Sequence, residues 1–102
     1  MKYSRKFIEY LRKKLELVDV IRDELGTEVK FKKVASSGFL ILCPFHDEKT
    51  PSFRINSKSQ YYHCYGCGIS GGVFDFIMKI KEIDFPEAIK YLIKKYKMAG
   101  CK

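Results

Sequence analysis

Cys43-Pro44-Phe45-His46 and Cys64-Tyr65-Gly66-Cys67 are the stretches that decide this fold. In each, two residues separate two metal-ligating side chains, so one tight turn of backbone aims both at one point. Together the clips supply three thiols and an imidazole, the donor set that Zn²⁺ takes in a closed tetrahedral structural site. One structural Zn²⁺ on Cys43, His46, Cys64 and Cys67 is therefore expected. A metal staple suits a chain of 102 residues, which buries only a modest fraction of its surface. Zinc binding contributes on the order of 10 kcal/mol to the folding of such domains, as much as the whole stability of a typical one.

A catalytic metal is the rival reading. His46-Asp47-Glu48 matches the His-x-Glu half of the zinc deaminase signature, and Cys64 to Cys67 matches its Cys-x-x-Cys half. Two features oppose it. His63 stands before Cys64 where that signature has Pro, and Cys43 fills the position that catalytic zinc keeps open for water. His63 is the competing histidine, but Cys-x-x-His makes the better clip, and His63 precedes Cys64 on the opposite strand face. Cys101 is a weak rival for the fourth ligand, since it lacks a partner at clip spacing, and reads as a free thiol or a remnant of truncation.

The segments outward from the clips alternate as strands do. Residues 29–34, 39–42, 52–56 and 60–63 are expected strands, with turns at Ser36-Ser37-Gly38 and Ser57-Lys58-Ser59. They form an antiparallel meander whose ends carry the clips. Upstream, Phe7, Ile8, Leu11, Leu15, Val18, Ile21 and Leu25 recur at helical spacing, with a break expected near residues 17–19 and a stop at Gly26. Downstream, Gly68, Gly71 and Gly72 permit a sharp exit into a helix bearing Val73, Phe74, Ile77 and Ile80. Asp84, Pro86 and Glu87 then start a last helix, with Ala88, Ile89, Leu92, Ile93 and Tyr96 on its apolar face. The expected fold is α+β: a zinc ribbon with an antiparallel sheet and flanking helices. It is one domain over residues 1–102, with N-terminal helices at 4–25, the sheet at 29–68 and C-terminal helices at 72–97.

The net charge is +8, which favours polyanionic partners. The excess lies in the helices. Residues 1–34 hold ten Lys/Arg against six Asp/Glu, residues 35–70 three against two, and residues 71–102 seven against four. Solvated helix faces account for much of it. The basic N-terminus leads into no apolar run, so no signal peptide is read. No stretch is long and apolar enough to span a membrane, and cysteines used as ligands fit a cytoplasmic protein.

The run Cys43-Pro-Phe-His-Asp-Glu-Lys-Thr-Pro-Ser-Phe53, followed by Tyr62-His-Cys-Tyr-Gly-Cys-Gly68, closely resembles the Cys-His-Cys-Cys zinc-binding domain of bacterial-type DNA primases. The resemblance extends to Val18-Asp-Val-Ile21, Gly71-Gly72-Val73-Phe74 and Phe85-Pro-Glu-Ala88, and so covers nearly the whole chain. Gly72 departs from the Asp or Asn common there and removes a side-chain acceptor from a helix start. Tyr65 stands where Phe is common. The resemblance implies recognition of single-stranded DNA template where RNA primers start. It implies a monomer working with a primase polymerase domain and a replicative helicase at the replication fork. Primer synthesis itself would belong to the polymerase domain, so no catalytic residue is assigned in this chain.

Binding single strands needs cations for phosphates and flat rings for bases. Arg54 falls on the strand face opposite Phe53 and Ile55. Tyr61 and His63 share one face of their strand, while Tyr62 shares the other with Cys64. With Lys58 on the adjacent turn and Lys49 in the loop after the first clip, these five form the expected DNA surface. Tyr65 and Phe45 are expected to pack beside the zinc, and Phe53, Phe74 and Ile77 to lie in the core. Two further readings are a stand-alone DNA-binding zinc protein from a mobile element, ending at Lys102, and an adaptor whose basic helices dock on a replication protein.

Overall fold

The computed structural model describes residues 3–34, 36–47 and 49–97. Glu48 of the deaminase-like triplet, Cys101 and Lys102 lie outside the described residues.

Helix α1 spans Arg5–Lys14, and the Ser4 hydroxyl caps it by accepting from the Phe7 N–H at 3.1 Å. Helix α2 spans Leu17–Leu25 and stops at Gly26, whose φ of +88° is cheap only for glycine. The break between them falls at Leu15 and Glu16, both extended, slightly earlier than the expected 17–19. The reason is tertiary. Glu16 makes no side-chain cap, and the Leu17 N–H instead donates to Oε1 of Gln60 at 2.7 Å, 43 residues away in the chain.

Five strands follow: β1 Lys32–Val34, β2 Gly38–Ile41, β3 Phe53–Asn56, β4 Tyr61–Cys64 and β5 Ser70–Gly71. They pair in sequence order, every pair antiparallel. The sheet thus runs from 32 to 71 rather than 29 to 68. Residues 29–31 carry no ladder, and Val29 and Phe31 pack against the core instead. Phe31 meets Phe39 edge-on and lies under the Arg22 guanidinium, 4.6 Å from its ring centroid. Strand β5 holds two residues, too few for alternation to reveal. It exists because the exit from the second clip brings Ser70 opposite His63 and Gly71 opposite Tyr62.

Helix α3, Val73–Lys81, starts at Gly72 without a side-chain acceptor there. Asp75 compensates from inside the first turn, its Oδ2 accepting from the Gly72 N–H at 2.9 Å. This is the carboxylate half of a capping box. Helix α4, Phe85–Tyr96, is capped by Asp84, whose Oδ1 accepts from the Glu87 N–H at 3.0 Å.

One core joins these elements. The inner sheet face contributes Ile41, Phe53, Ile55 and Tyr62, and the helices contribute Leu11, Ile21, Phe76, Ile77, Ile89 and Leu92, all fully buried. Phe53 stacks on Tyr62 at 4.9 Å, and Phe76 meets Tyr62 edge-on at 6.1 Å. Phe74 and Ile77 are core as expected. Phe76 is an additional core residue on the same helix, and Ile80 is only half-buried.

The helices are also tied by charge. The Glu24 side chain is 6% exposed and meets Nζ of Lys95 at 2.7 Å, Nζ of Lys81 at 3.5 Å and the Tyr91 hydroxyl. Burial alone would raise its carboxyl, but the hydrogen bonds from Lys95 and Tyr91 and the charges of Lys95 and Lys81 outweigh that. They hold it below the ordinary value of 4.5. Helices α2, α3 and α4 are locked together through this one carboxylate.

Candidate metal centre and nucleic-acid interface

The first clip leaves the end of β2 and the second begins on the last residue of β4. Their ligand atoms converge: one atom each from Cys43, His46, Cys64 and Cys67 lies within 4.8 Å of every other. The Cys43 and Cys67 sulfurs are 3.9 Å apart. A tetrahedral zinc with Zn–S bonds of about 2.3 Å sets two sulfurs about 3.8 Å apart, so spacing and donor chemistry both fit. Four protein donors meet at one point, which closes the shell and leaves no position for a catalytic water.

Local backbone explains the convergence. At the second clip the Gly68 N–H donates to the Cys64 carbonyl at 2.8 Å, and the Cys64 N–H donates to the Ile69 carbonyl at 2.8 Å. Gly68 turns the chain with φ +83°, and the space around a Cβ there is open, so backbone conformation rather than crowding selects glycine. At the first clip the Phe45 N–H points at the Cys43 sulfur, 3.4 Å away. The Phe45 ring is wedged against Phe53 and Phe76, at 6.2 and 5.8 Å, so the turn is anchored in the core.

The thiols differ in acidity. Burial pushes Cys43 up to about 12, and the neighbouring Cys64 and Cys67 sulfurs add to the rise. Burial also opposes ionisation of Cys64. There the Ser52 hydroxyl and the backbone N–H groups of Cys67 and Gly66 prevail and bring it down to about 7. One thiolate is therefore stabilised by the fold itself, whereas several at such distances need a cation among them. Bound Zn²⁺ supplies that charge and crosslinks the two clips.

The opposite face of the sheet carries the other candidates. Register places Lys32, Leu40, Arg54, His63 and Ser70 in one cross-strand row, and Gly38, Asn56 and Tyr61 in the next. Arg54, Asn56, Tyr61, His63 and Tyr65 line a shallow hollow of about 220 Å³. Gly38 makes room for Arg54: a Cβ there would sit 3.1 Å from the guanidinium and 3.0 Å from the Val34 carbonyl. The Tyr61 hydroxyl donates to Oγ of Ser70 at 2.9 Å, leaving a ring that is 48% exposed.

Of the five expected surface residues, Arg54, Tyr61 and His63 come together here. Lys58 sits on the β3–β4 turn at its rim, where its N–H donates to Oδ1 of Asn56 at 2.9 Å. Lys49 does not join them. It lines a separate groove with Leu25, Val29, Leu42 and Pro44, because the loop after the first clip runs towards the end of α2.

Tyr65 overturns its expectation. It does not pack beside the metal clip but is 71% exposed, its ring edge-on to His63 at 4.6 Å. Being an aromatic inside a clip, it looked like packing, yet the clip's turn throws it onto the outer face. Lys32 is a further cation on this face that sequence reading missed. Alternation along β1 was its only signal, and the register that aligns it with Arg54 is set by three strands together.

Comparison with known proteins agrees with this geometry. The CHC2 zinc finger family matches residues 3–101. DNA primase of Haemophilus influenzae is 47% identical over 88 residues, covering 86% of this chain and 14% of that protein. DNA primase of Neisseria meningitidis is 40% identical over 86 residues, covering 84% and 14%. The crystal structure of the Aquifex aeolicus primase zinc-binding and RNA polymerase domains superposes with a TM-score of 0.77 at 34% identity. It covers 88% of this chain and 21% of that one. The chain thus spans about one seventh of the length of the curated relatives it matches. Fold, ligand cluster and sequence agree: this chain belongs to the CHC2 zinc finger family and has the form of the zinc-binding domain of bacterial DNA primases.

Proposed function

We propose that this chain is the template-recognition module of a DNA primase, in which Cys43, His46, Cys64 and Cys67 hold zinc and the outer sheet face binds single-stranded DNA. The observation that carries the reading is the shared hollow of Arg54, Asn56, Tyr61, His63 and Tyr65. It sets one guanidinium for phosphate and three exposed or half-buried rings for bases on a surface held rigid from behind by the metal and the aromatic core. Lys32 and Lys58 extend the positive charge along it. Primer synthesis would belong to an RNA polymerase domain of the kind that accompanies this fold in the Aquifex protein, with both working in the cytoplasm.

Titrating the zinc-loaded chain with single-stranded DNA and following backbone NMR shifts tests this. Shifts should concentrate on β3, β4 and Tyr65. Tyr61→Ala should cost about 1–3 kcal/mol of binding, the worth of one stacked base, and Arg54→Ala should weaken binding and flatten its salt dependence. Unchanged affinity in both variants would sink the assignment of this face.

A further inference from the structure

The recognition face does not end at the β3–β4 turn. A second hollow, of about 510 Å³, lies on the far side of that turn and is lined by Arg12, Lys13, Leu15, Glu16, Ser59 and Gln60. Ser59 belongs to the walls of both hollows, so the two adjoin at the turn.

The second hollow is built, not incidental. Gln60 lines it in the left-handed region, at φ +57°, and uses its whole amide. Oε1 accepts from the Leu17 N–H at 2.7 Å, while Nε2 donates to the Ser57 carbonyl at 2.7 Å and to the Glu16 carboxylate. The turn is thereby clamped to the corner between α1 and α2. Arg12 is held in place by Phe74, its guanidinium 5.1 Å from the ring centroid. Its ion pair with Glu9, at 3.9 Å between exposed side chains, is weak competition. The last turn of α1 adds Lys13 and Lys14. Two cations therefore line the hollow against one carboxylate, and Gln60 already engages that carboxylate.

We propose that this hollow is a phosphate subsite for the same single strand that lies on the sheet face, with Arg12 and Lys13 contacting backbone phosphates beyond the stacked bases. The inference rests on the DNA-binding reading above. It adds a direction: the strand leaves the Tyr61–His63–Tyr65 face over Lys58 and Ser59 and continues towards the C-terminal end of α1. The site is indifferent to base sequence, because it offers charge and no base-reading edge.

Strand length makes the test. Binding of a thymidine trinucleotide and a thymidine dodecamer is measured by fluorescence anisotropy over a range of salt. Wild type is compared with Lys13→Gln, Arg12→Gln/Lys13→Gln and Arg54→Ala. Each lost phosphate contact should lower the log–log salt slope by about 0.7 and weaken the dodecamer about fivefold at 0.1 M salt. The trinucleotide, confined to the sheet, should be unaffected by either α1 variant. Lys13→Gln alone keeps the test valid if loss of the Arg12–Phe74 contact disturbs folding, and zinc content and melting temperature report that directly. If the α1 variants bind the dodecamer with wild-type affinity and slope while Arg54→Ala weakens both lengths, the subsite is wrong and the sheet reading stands. If wild type binds neither strand, both fall together.

Discussion

The two faces of the sheet are made from the same strands and share no task. On the inner face Phe53, Ile55, Tyr62 and Cys64 are sealed from solvent, in one core with the helices and beside the metal clips. On the outer face Arg54, Tyr61, His63 and Tyr65 remain at least partly accessible around a shallow hollow. Single-residue alternation along β3 and β4 keeps the strand residues apart, and the turn of the second clip adds Tyr65 to the outer set. Stability can therefore be placed on one side and the proposed recognition on the other, and substitutions on the two sides should separate cleanly.

Metal removal should have the largest effect. Chelation, or Cys64→Ser, removes a contribution on the order of 10 kcal/mol and should abolish the cooperative melt and the strand amide protection. A sheet that still melts cooperatively without metal would mean the aromatic inner face suffices alone. Phe53→Ala comes next, at about 3–5 kcal/mol. It deletes the ring that stacks on Tyr62 and against Phe45, and denaturant titration should show the loss with zinc stoichiometry intact. Arg54→Ala supplies the converse, with stability within about 0.5 kcal/mol of wild type. A much larger loss would show that the outer face also holds the fold.

Glu24 lies off the sheet and tests whether the helical layer is an independent support. Glu24→Gln should destabilise by about 1–3 kcal/mol at neutral pH. The native carboxyl is held below 4.5, so its contribution is fully present above that value and is lost as pH falls through the native titration. The gap between wild type and Glu24→Gln should therefore close in acid, as melts across pH 3–7 would show. A constant gap would assign the effect to packing.

The smallest change sharpens the inner face. The Tyr62 hydroxyl is buried with no hydrogen-bond partner among the described residues, and burial pushes its ionisation well above the ordinary phenol value. Tyr62→Phe should be neutral or stabilising by up to about 1 kcal/mol. A loss measured by denaturant titration would reveal a partner for the hydroxyl.

Residues that act through local rules were readable from the chain. Clip spacing gave the four ligands because a two-residue gap fixes how side chains converge whatever surrounds it. Gly26 and Asp84 marked helix ends because capping is settled within a few residues. Alternation sorted Arg54, Tyr61 and His63 from Phe53, Ile55 and Tyr62. Each of these depends on periods or contacts only a few residues long.

Other features depend on which distant segments meet. Gln60 caps α2 from 43 residues away, so the helix break moved and the second hollow could not be foreseen. Strand β5 exists only because the second clip folds back beside β4. Tyr65 took the outer face because a turn, not a strand, sets its direction, and Lys49 was carried off by its loop. The amino-acid order fixed the ligands, the helix starts and the two-sided character of the strands. Assembly chose which cations and rings stand next to one another, since three-dimensional register is a property of the packed sheet and not of any strand within it.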